Sequence, residues 1–289
     1  MKISVYWGCL TLTSEYACEL STRKVLSELG IELEELSEYT CCGHPMKSIN
    51  LTAALYLAAR SMALAEKNKT EILISPCSKC YETFKWAEDL LKKDESLKKK
   101  IDNILKEENL SYNGEISIIH MIDLLYDYVG VEKLKEKIKF EFEGLKVAAH
   151  PGCYAFRIDG KTGLKRISKF DALIEVLGAN SIYYAGKLDC CGGNLRPSRP
   201  EAALTLAGEK LNSAIEFGAG CLVDFCPHCH EMLDYRQEEA SATIGKKLKI
   251  PVIYYMQLLG ISFGIKPEEL GIQLNKSGVE ELIKKLNVF

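Results

Sequence analysis

"EILISPCSKC" (residues 71–80) and "CLVDFCPHC" (221–229) each run a short apolar stretch into a Cys-x-x-Cys pair. Apolar runs of this length read as strands buried on both faces of a parallel sheet. Working outward from them, the chain repeats itself. "TAALYLAARSMALAEKN" (52–68) aligns without gaps on "EAALTLAGEKLNSAIEF" (201–217). In the second segment Leu204, Ala207, Leu211, Ala214 and Ile215 form an i, i+3, i+4 stripe, so both are predicted to be helices. The first is apolar nearly all round, the mark of the more buried one. Upstream of each helix lies a vicinal pair, "TCCGHP" (40–45) and "DCCGGN" (189–194).

The cysteines keep register with this repeat. Cys41, Cys42, Cys77 and Cys80 are offset from Cys190, Cys191, Cys226 and Cys229 by a constant 149 positions. Each group has one earlier member, Cys9 or Cys153, preceded by Gly8 or Gly152. Ten of the 12 cysteines thus form two sets of five, the signature of an internal duplication. The opening strands "KISVYWGC" (2–9) and "LKVAAHPGC" (145–153) match in character. So do "ISIIHMIDLL" (116–125) and "IPVIYYMQLL" (250–259), each a strand running into a helix.

Each half therefore reads strand, Cys, helix, strand, Cys-Cys-Gly, helix, strand, Cys-x-x-Cys, helix, strand, helix. Strands alternating with helices imply an α/β fold with parallel sheets and right-handed crossovers. Two pseudo-symmetric modules are expected, over residues 1–140 and 141–289. In such sheets ligands bind beyond the carboxyl ends of the strands. Every repeated cysteine follows a strand, so residues distant in sequence converge on one sheet edge. The join lies near "KEKIKFEFEGLK" (135–146), without a Pro-rich or low-complexity linker, so the halves are expected to pack tightly. The charged stretch 86–110 has no counterpart in the second half and reads as a solvated helical face outside the shared chemistry.

Bulk composition excludes several function classes. The 289 residues are 47% apolar and 27% charged, with net charge −3 and both signs well mixed. This gives no electrostatic footprint for nucleic acid or an anionic membrane. "MKISVYWGCL" (1–10) reads as a strand and lacks the long apolar region of a signal peptide. No apolar run reaches the roughly 18 residues needed for a membrane span. A cytoplasmic protein is expected. In a reducing compartment dense cysteine points to metal or redox chemistry and away from structural disulfides.

Five thiols per set are one more than structural zinc or an ordinary iron–sulfur cluster takes. Successive side chains of an extended backbone diverge, so a vicinal pair suits two neighbouring irons, or one bridging sulfur, better than a single ion. The glycine that follows lets the backbone take a positive φ and approach closely. A zinc-stabilised scaffold remains the competing reading of the residues alone.

The doubled pattern Cys…Cys-Cys-Gly…Cys-x-x-Cys resembles the CCG-domain proteins, and among these the B subunits of heterodisulfide reductase from methanogens. The likeness runs from Cys9 to "YYMQLLG" (254–260). It implies two non-cubane [4Fe-4S] clusters. One would be held by Cys9, Cys41, Cys42, Cys77 and Cys80, the other by Cys153, Cys190, Cys191, Cys226 and Cys229. It implies reduction of the coenzyme M–coenzyme B heterodisulfide to two thiols, the last step of methanogenesis, coupled to electron bifurcation. Related CCG proteins serve thiol:fumarate and succinate–quinone systems, which is the second enzymatic reading. The chain has no ferredoxin-type cysteine run and no G-x-G-x-x-G, so electrons must arrive through partners. The partners implied by the resemblance are the heterodisulfide reductase C subunit, with cubane iron–sulfur clusters, and its A subunit, with flavin and iron–sulfur clusters. Behind them it implies a hydrogenase or formate dehydrogenase.

The implied substrate is anionic. Lys79, Arg157, Arg196 and Arg199 lie near the cysteine motifs and are candidates to bind it. His44, His150 and His228, each within three residues of a repeated cysteine, are candidates for contact with substrate or cluster sulfur. Cys18 and Cys221 lack repeat partners and read as ordinary buried cysteines, while His120 and His230 read as structural or surface residues.

Overall fold

The computed structural model describes residues 2–158 and 160–286. Two four-stranded parallel sheets form its centre. The first contains β1 (Lys2–Val5), β2 (Glu32–Glu35), β3 (Ile72–Ser75) and β4 (Ser117–His120) in the order β2-β1-β3-β4. The second contains β5 (Lys146–His150), β6 (Asn180–Ser181), β7 (Cys221–Asp224) and β8 (Val252–Tyr254) in the order β6-β5-β7-β8. The predicted helices 52–68 and 201–217 appear as Leu51–Lys67 and Pro200–Glu216. The first is started by the Asn50 side chain, which accepts from the Ala53 N–H, and the second by a proline in its first turn.

Strand alternation sorts the apolar side chains into two cores. Ile72 and Ile74 of β3 enter one, together with Val147, Ala149 and Val223 of the other sheet. Leu73, Ala148 and Leu222 enter the second. Successive side chains point to opposite faces, and both faces are covered. Each core draws on both halves, because the modules exchange helices. The helix Tyr16–Glu28 of the first half packs on Tyr255–Ser262 of the second. Reciprocally, Gly160–Glu175 packs on Met121–Asp123. The expected tight packing takes the form of interlocking.

The charged stretch 86–110 departs from expectation. It forms the end of one helix, Ser78–Lys93, and the whole of another, Glu95–Glu107, with the break at Asp94, whose carboxylate caps the second. Leu91, Ile101 and Leu105 anchor it inward. Its outer face is more than solvated, since it walls a cleft described below.

In each sheet the chain moves outward from the first strand to the second, then returns across the first to the third. Loops leaving β1 and β3, or β5 and β7, therefore part in opposite directions and open a crevice at the carboxyl edge. Cys9 and Cys77 leave one such pair of strands, Cys153 and Cys226 the other.

The glycines of the vicinal motifs have a steric reason. Gly43 (φ +87) and Gly192 (φ +85) both take the left-handed conformation. A Cβ on Gly43 would lie 2.6 Å from the Ala54 carbonyl oxygen, and one on Gly192 would press on the Ala203 carbonyl. The Cys-Cys-Gly turn thus rests directly on the following helix. Gly43→Ala will cost about 1–3 kcal/mol for backbone conformation alone, before any shift of the helix. Thermal denaturation checks this, and a melting temperature within about 1 °C of the parent, against a shift of roughly 2–4 °C per kcal/mol, would refute it.

Candidate metal centres

The sulfurs of each cysteine set lie side by side in a linked series. In the first, the Cys42 thiol interacts with those of Cys41 and Cys80, and Cys80 with Cys77. Cys9 is exposed at the rim of a cavity that the other four also line. In the second, Cys190 interacts with Cys153 and Cys191, Cys191 with Cys229, and Cys229 with Cys226. The Gly192 N–H also donates to Cys190 Sγ at 3.4 Å.

The two gatherings meet. Cys77 and Cys226, equivalent positions of the repeat, interact with each other across the seam between modules. Ser78, next in the chain, lies against Gly152 of the other half, whose added Cβ would sit 3.9 Å from Ser78 Oγ and 3.7 Å from Cys229 Sγ.

Neighbouring S–H groups favour thiolate at three positions. Cys42 is held well below the usual thiol range by Cys41 and then Cys80; Cys190 by Cys153 and Cys191; Cys226 by Cys229 and Cys77. Thiolate is the form that binds metal. All ten thiols are free, and an all-sulfur donor set selects iron–sulfur clusters, zinc or cuprous copper. Five free thiols converging at each sheet edge therefore fit a thiolate-held metal cluster.

Two cavities open on the sulfurs. The smaller, about 190 Å³, is lined by all five cysteines of the first set, by Lys79 and His44, and by Pro227, His228 and Glu231 from the other half. The larger, about 820 Å³, reaches Cys153, Cys190, Tyr154 and Arg157, and its far wall is the first-half helix carrying Lys85, Trp86, Glu88, Asp89, Lys92 and Lys93. Between them stands a polar partition. Asn194 donates to the Tyr154 hydroxyl, which lies 3.2 Å from His44 Nε2, and His44 Nδ1 lies 3.1 Å from Thr83 Oγ1.

The basic candidates separate by environment. Lys85 and Lys92 pair with Glu88, and Lys93 with Asp89. Lys79 in the smaller cavity and Arg157 in the larger make no ion pair among the described residues. Arg196 is engaged by Glu231 and lines neither cavity. Arg199 is exposed at the head of the helix Pro200–Glu216, away from both. Among the histidines, His44 and His228 line the smaller cavity, and His228 Nε2 is buried without a hydrogen-bond partner among the described residues. His150 lines neither cavity and sits behind the second sulfur set, its ring within 4.8 Å of Cys191 and Cys229 Sγ.

Cys18 and Cys221 are buried in the cores. His120 and His230 are buried too. His120 accepts from the Ile122 N–H and meets Ser78 Oγ at 2.9 Å, while His230 stacks on Tyr254 between Asp224 and Asp234. Sequence reasoning missed Lys210, which is only 1% exposed and whose ammonium donates to the Gly186 carbonyl. The signal was present: Ala203, Ala207, Lys210 and Ala214 follow helical spacing on one buried face.

The chain is similar to known proteins. The cysteine-rich domain CCG matches the chain twice, at residues 3–85 and 147–234. The chain is 34% identical to the B subunit of ferredoxin:CoB-CoM heterodisulfide reductase of Methanosarcina mazei, covering 99% of this chain and 97% of that protein. It is 30% identical to the 8-methylmenaquinol:fumarate reductase membrane anchor subunit of Wolinella succinogenes, covering 95% and 96%. Among solved structures, a hypothetical protein from Helicobacter pylori superposes with a TM-score of 0.77 at 16% identity, over 96% of this chain and 52% of that one. That likeness concerns the fold, and the chain spans about half of that structure. Among the described residues, no helix is long and apolar enough to cross a membrane.

Proposed function

The chain belongs to the CCG cysteine-rich domain family, and from that premise we propose that it is the disulfide-reducing component of a multi-subunit oxidoreductase acting on the coenzyme M–coenzyme B heterodisulfide. The observation that carries this reading is the meeting of the two five-thiol sets at Cys77 and Cys226. Reduction of RS–SR′ consumes two electrons and two protons and releases RSH and R′SH. Two non-cubane [4Fe-4S] clusters, one on each five-cysteine set, would together supply the two electrons at a single S–S bond.

The remaining work falls to the chain. Lys79 and Arg157, both free of carboxylate partners among the described residues, hold the negatively charged arms of the substrate from opposite cavities. His228 lines the smaller cavity, its Nε2 buried against Gly193 without a hydrogen-bond partner among the described residues, and would turn that nitrogen to substrate. The His44–Tyr154–Asn194 partition fixes the two cavity walls relative to each other. Electrons arrive from the cubane-cluster C subunit. That partner is fed by the flavin-containing A subunit and a hydrogenase or formate dehydrogenase, in a cytoplasmic bifurcating complex.

The test is reduction of the heterodisulfide by the anaerobically purified complex with a reduced viologen dye as donor. Turnover supports the assignment. Failure with the heterodisulfide, alongside dye-linked oxidation of a menaquinol, would instead support the quinol-linked reading favoured by the Wolinella relative. Metal analysis should give about eight irons with sulfide per chain, from two four-iron clusters. Stoichiometric zinc without iron sinks both enzymatic readings. Arg157→Ala and Lys79→Ala should keep the iron and raise KM about 10–100-fold each, the worth of a charged hydrogen bond of about 1.5–3 kcal/mol.

A further inference from the structure

The repeat places different residues behind the two sulfur sets. Three positions before the first cysteine of each set stand Tyr6 and His150. Tyr6 is satisfied elsewhere: its hydroxyl donates to the Thr40 carbonyl at 2.7 Å. His150 is 1% exposed, and neither ring nitrogen has a hydrogen-bond partner among the described residues. The Lys187 backbone lies nearby but outside hydrogen-bond geometry. A buried imidazole left orphaned is unfavourable, so such a group calls for a partner absent from the protein itself. Its ring lies within 4.8 Å of Cys191 and Cys229 Sγ.

A second difference converges on the same two sulfurs. In the gap-free helical repeat, Ser61 and Lys210 occupy equivalent positions. Ser61 donates to the Leu57 carbonyl of its own helix. Lys210 is buried and donates to the Gly186 carbonyl; burial pushes its pKa down to about 8, and the charges of Cys191 and then Cys229 push back. An ammonium has three donors, and this bond uses one. At these two equivalent positions the first module has neither the donor nor the cation; its own basic groups, Lys79 and His44, stand on the cavity side of its sulfurs.

We propose that His150 is an N–H donor to the sulfurs at Cys191 and Cys229, that Lys210 is a buried counter-charge there, and that together they make the C-terminal centre the more easily reduced of the two. The inference rests on the reading that each five-cysteine set holds an iron–sulfur cluster. The physical ground is general: N–H···S bonds and nearby positive charge stabilise the reduced, more negative state of such a cluster. Electrons reaching the chain then settle preferentially on the C-terminal side, so the duplicated centres have unequal roles. His150 and Lys210 act through the cluster and not on substrate.

The experiment is a mediated redox titration of the anaerobic complex, followed by electron paramagnetic resonance, with iron measured on every sample. Two iron–sulfur signals with distinct midpoints are expected in the parent. His150→Phe and Lys210→Met should each shift the higher-potential signal to lower potential, by about tenfold or more in its reduction equilibrium, about 59 mV for one electron. His150→Asn, which restores an N–H, should recover most of that shift, and Tyr6→Phe should move neither signal. Parent protein labelled with 15N-histidine keeps the proposal testable if a variant loses iron: weak histidine coupling belongs on the higher-potential centre. Equal parent midpoints, unmoved midpoints in both variants, a shift of the lower-potential centre, no histidine coupling on the higher-potential centre, or the strong coupling of a directly bonded nitrogen would each overturn it. Absence of iron from the parent would instead remove the reading beneath it.

Discussion

On the proposed reading of two four-iron centres and disulfide reduction, replacing Cys226 with alanine will leave the N-terminal centre loaded and cost the protein about half its iron, four of about eight atoms, together with nearly all activity. Cys226 is buried, ties into Cys229 on its own side and touches Cys77 on the other. Removing it breaks one sulfur set and also the point where the sets meet. Substitution of residues one layer outside a metal costs about 10–100-fold, so loss of a sulfur donor itself should exceed a hundredfold in heterodisulfide turnover. The equivalent change, Cys77→Ala, should mirror it, emptying the N-terminal centre. Iron analysis and the dye-linked assay read both quantities on one preparation. Full iron content, or turnover within about tenfold of the parent, would refute the assignment of these cysteines.

The second large effect concerns the lock between modules. Arg166, 3% exposed, donates to the Asp123 carboxylate, to the Ala155 carbonyl at 2.8 Å and to the Tyr81 hydroxyl at 2.6 Å. Asp123 and Tyr81 belong to the first half, Arg166 and Ala155 to the second. Lys169 adds a further bond to Asp123. Removing one member of a buried ion pair strands the other, and Arg166→Ala should cost about 3–5 kcal/mol. Chemical denaturation checks this; a loss under about 1 kcal/mol would mean the network is dispensable.

The same network predicts a pH dependence. Burial alone would raise the Asp123 pKa, but Lys169 and Arg166 outweigh it and hold the carboxyl below its ordinary value. A group depressed in the folded state binds its proton more readily when unfolded. Its contribution is therefore fully present above the unfolded carboxyl range near about pH 4 and is lost as pH falls through the lower folded value. Stability should decline with acid in the parent, and the Asp123→Asn variant should lose that part of the slope. An unchanged slope would place the acid sensitivity elsewhere.

Several elements were fully legible in the sequence, and for local reasons. The helices Leu51–Lys67 and Pro200–Glu216 announce themselves by apolar spacing. β3 and β7 appear as short apolar runs because both faces of a parallel sheet are covered. The duplication is visible because ten thiols keep nearly constant intervals. Less legible was the stretch 86–110, whose charge suggested only a wet surface. Its first part, through Lys93, pairs within its own helix and walls the larger cleft, and intrahelical pairing leaves no trace that separates wall from surface.

By itself the sequence determined which thiols belong together, that they stand at the carboxyl edges of two parallel sheets, and that the two halves are copies. Spacing and periodicity suffice for this, since both are properties of the chain's own local geometry. Only the tertiary structure decided that the halves exchange helices, that Cys77 meets Cys226, and that Arg196 is tied to Glu231 while Lys79 and Arg157 stay unpaired among the described residues. It also decided that His150 lies beside Cys191 and Cys229 with no partner among the described residues, while the equivalent Tyr6 spends its hydroxyl on the Thr40 carbonyl and Ser61 on its own helix. Contacts between side chains far apart along the chain depend on how two packed layers meet, and no local pattern encodes that meeting.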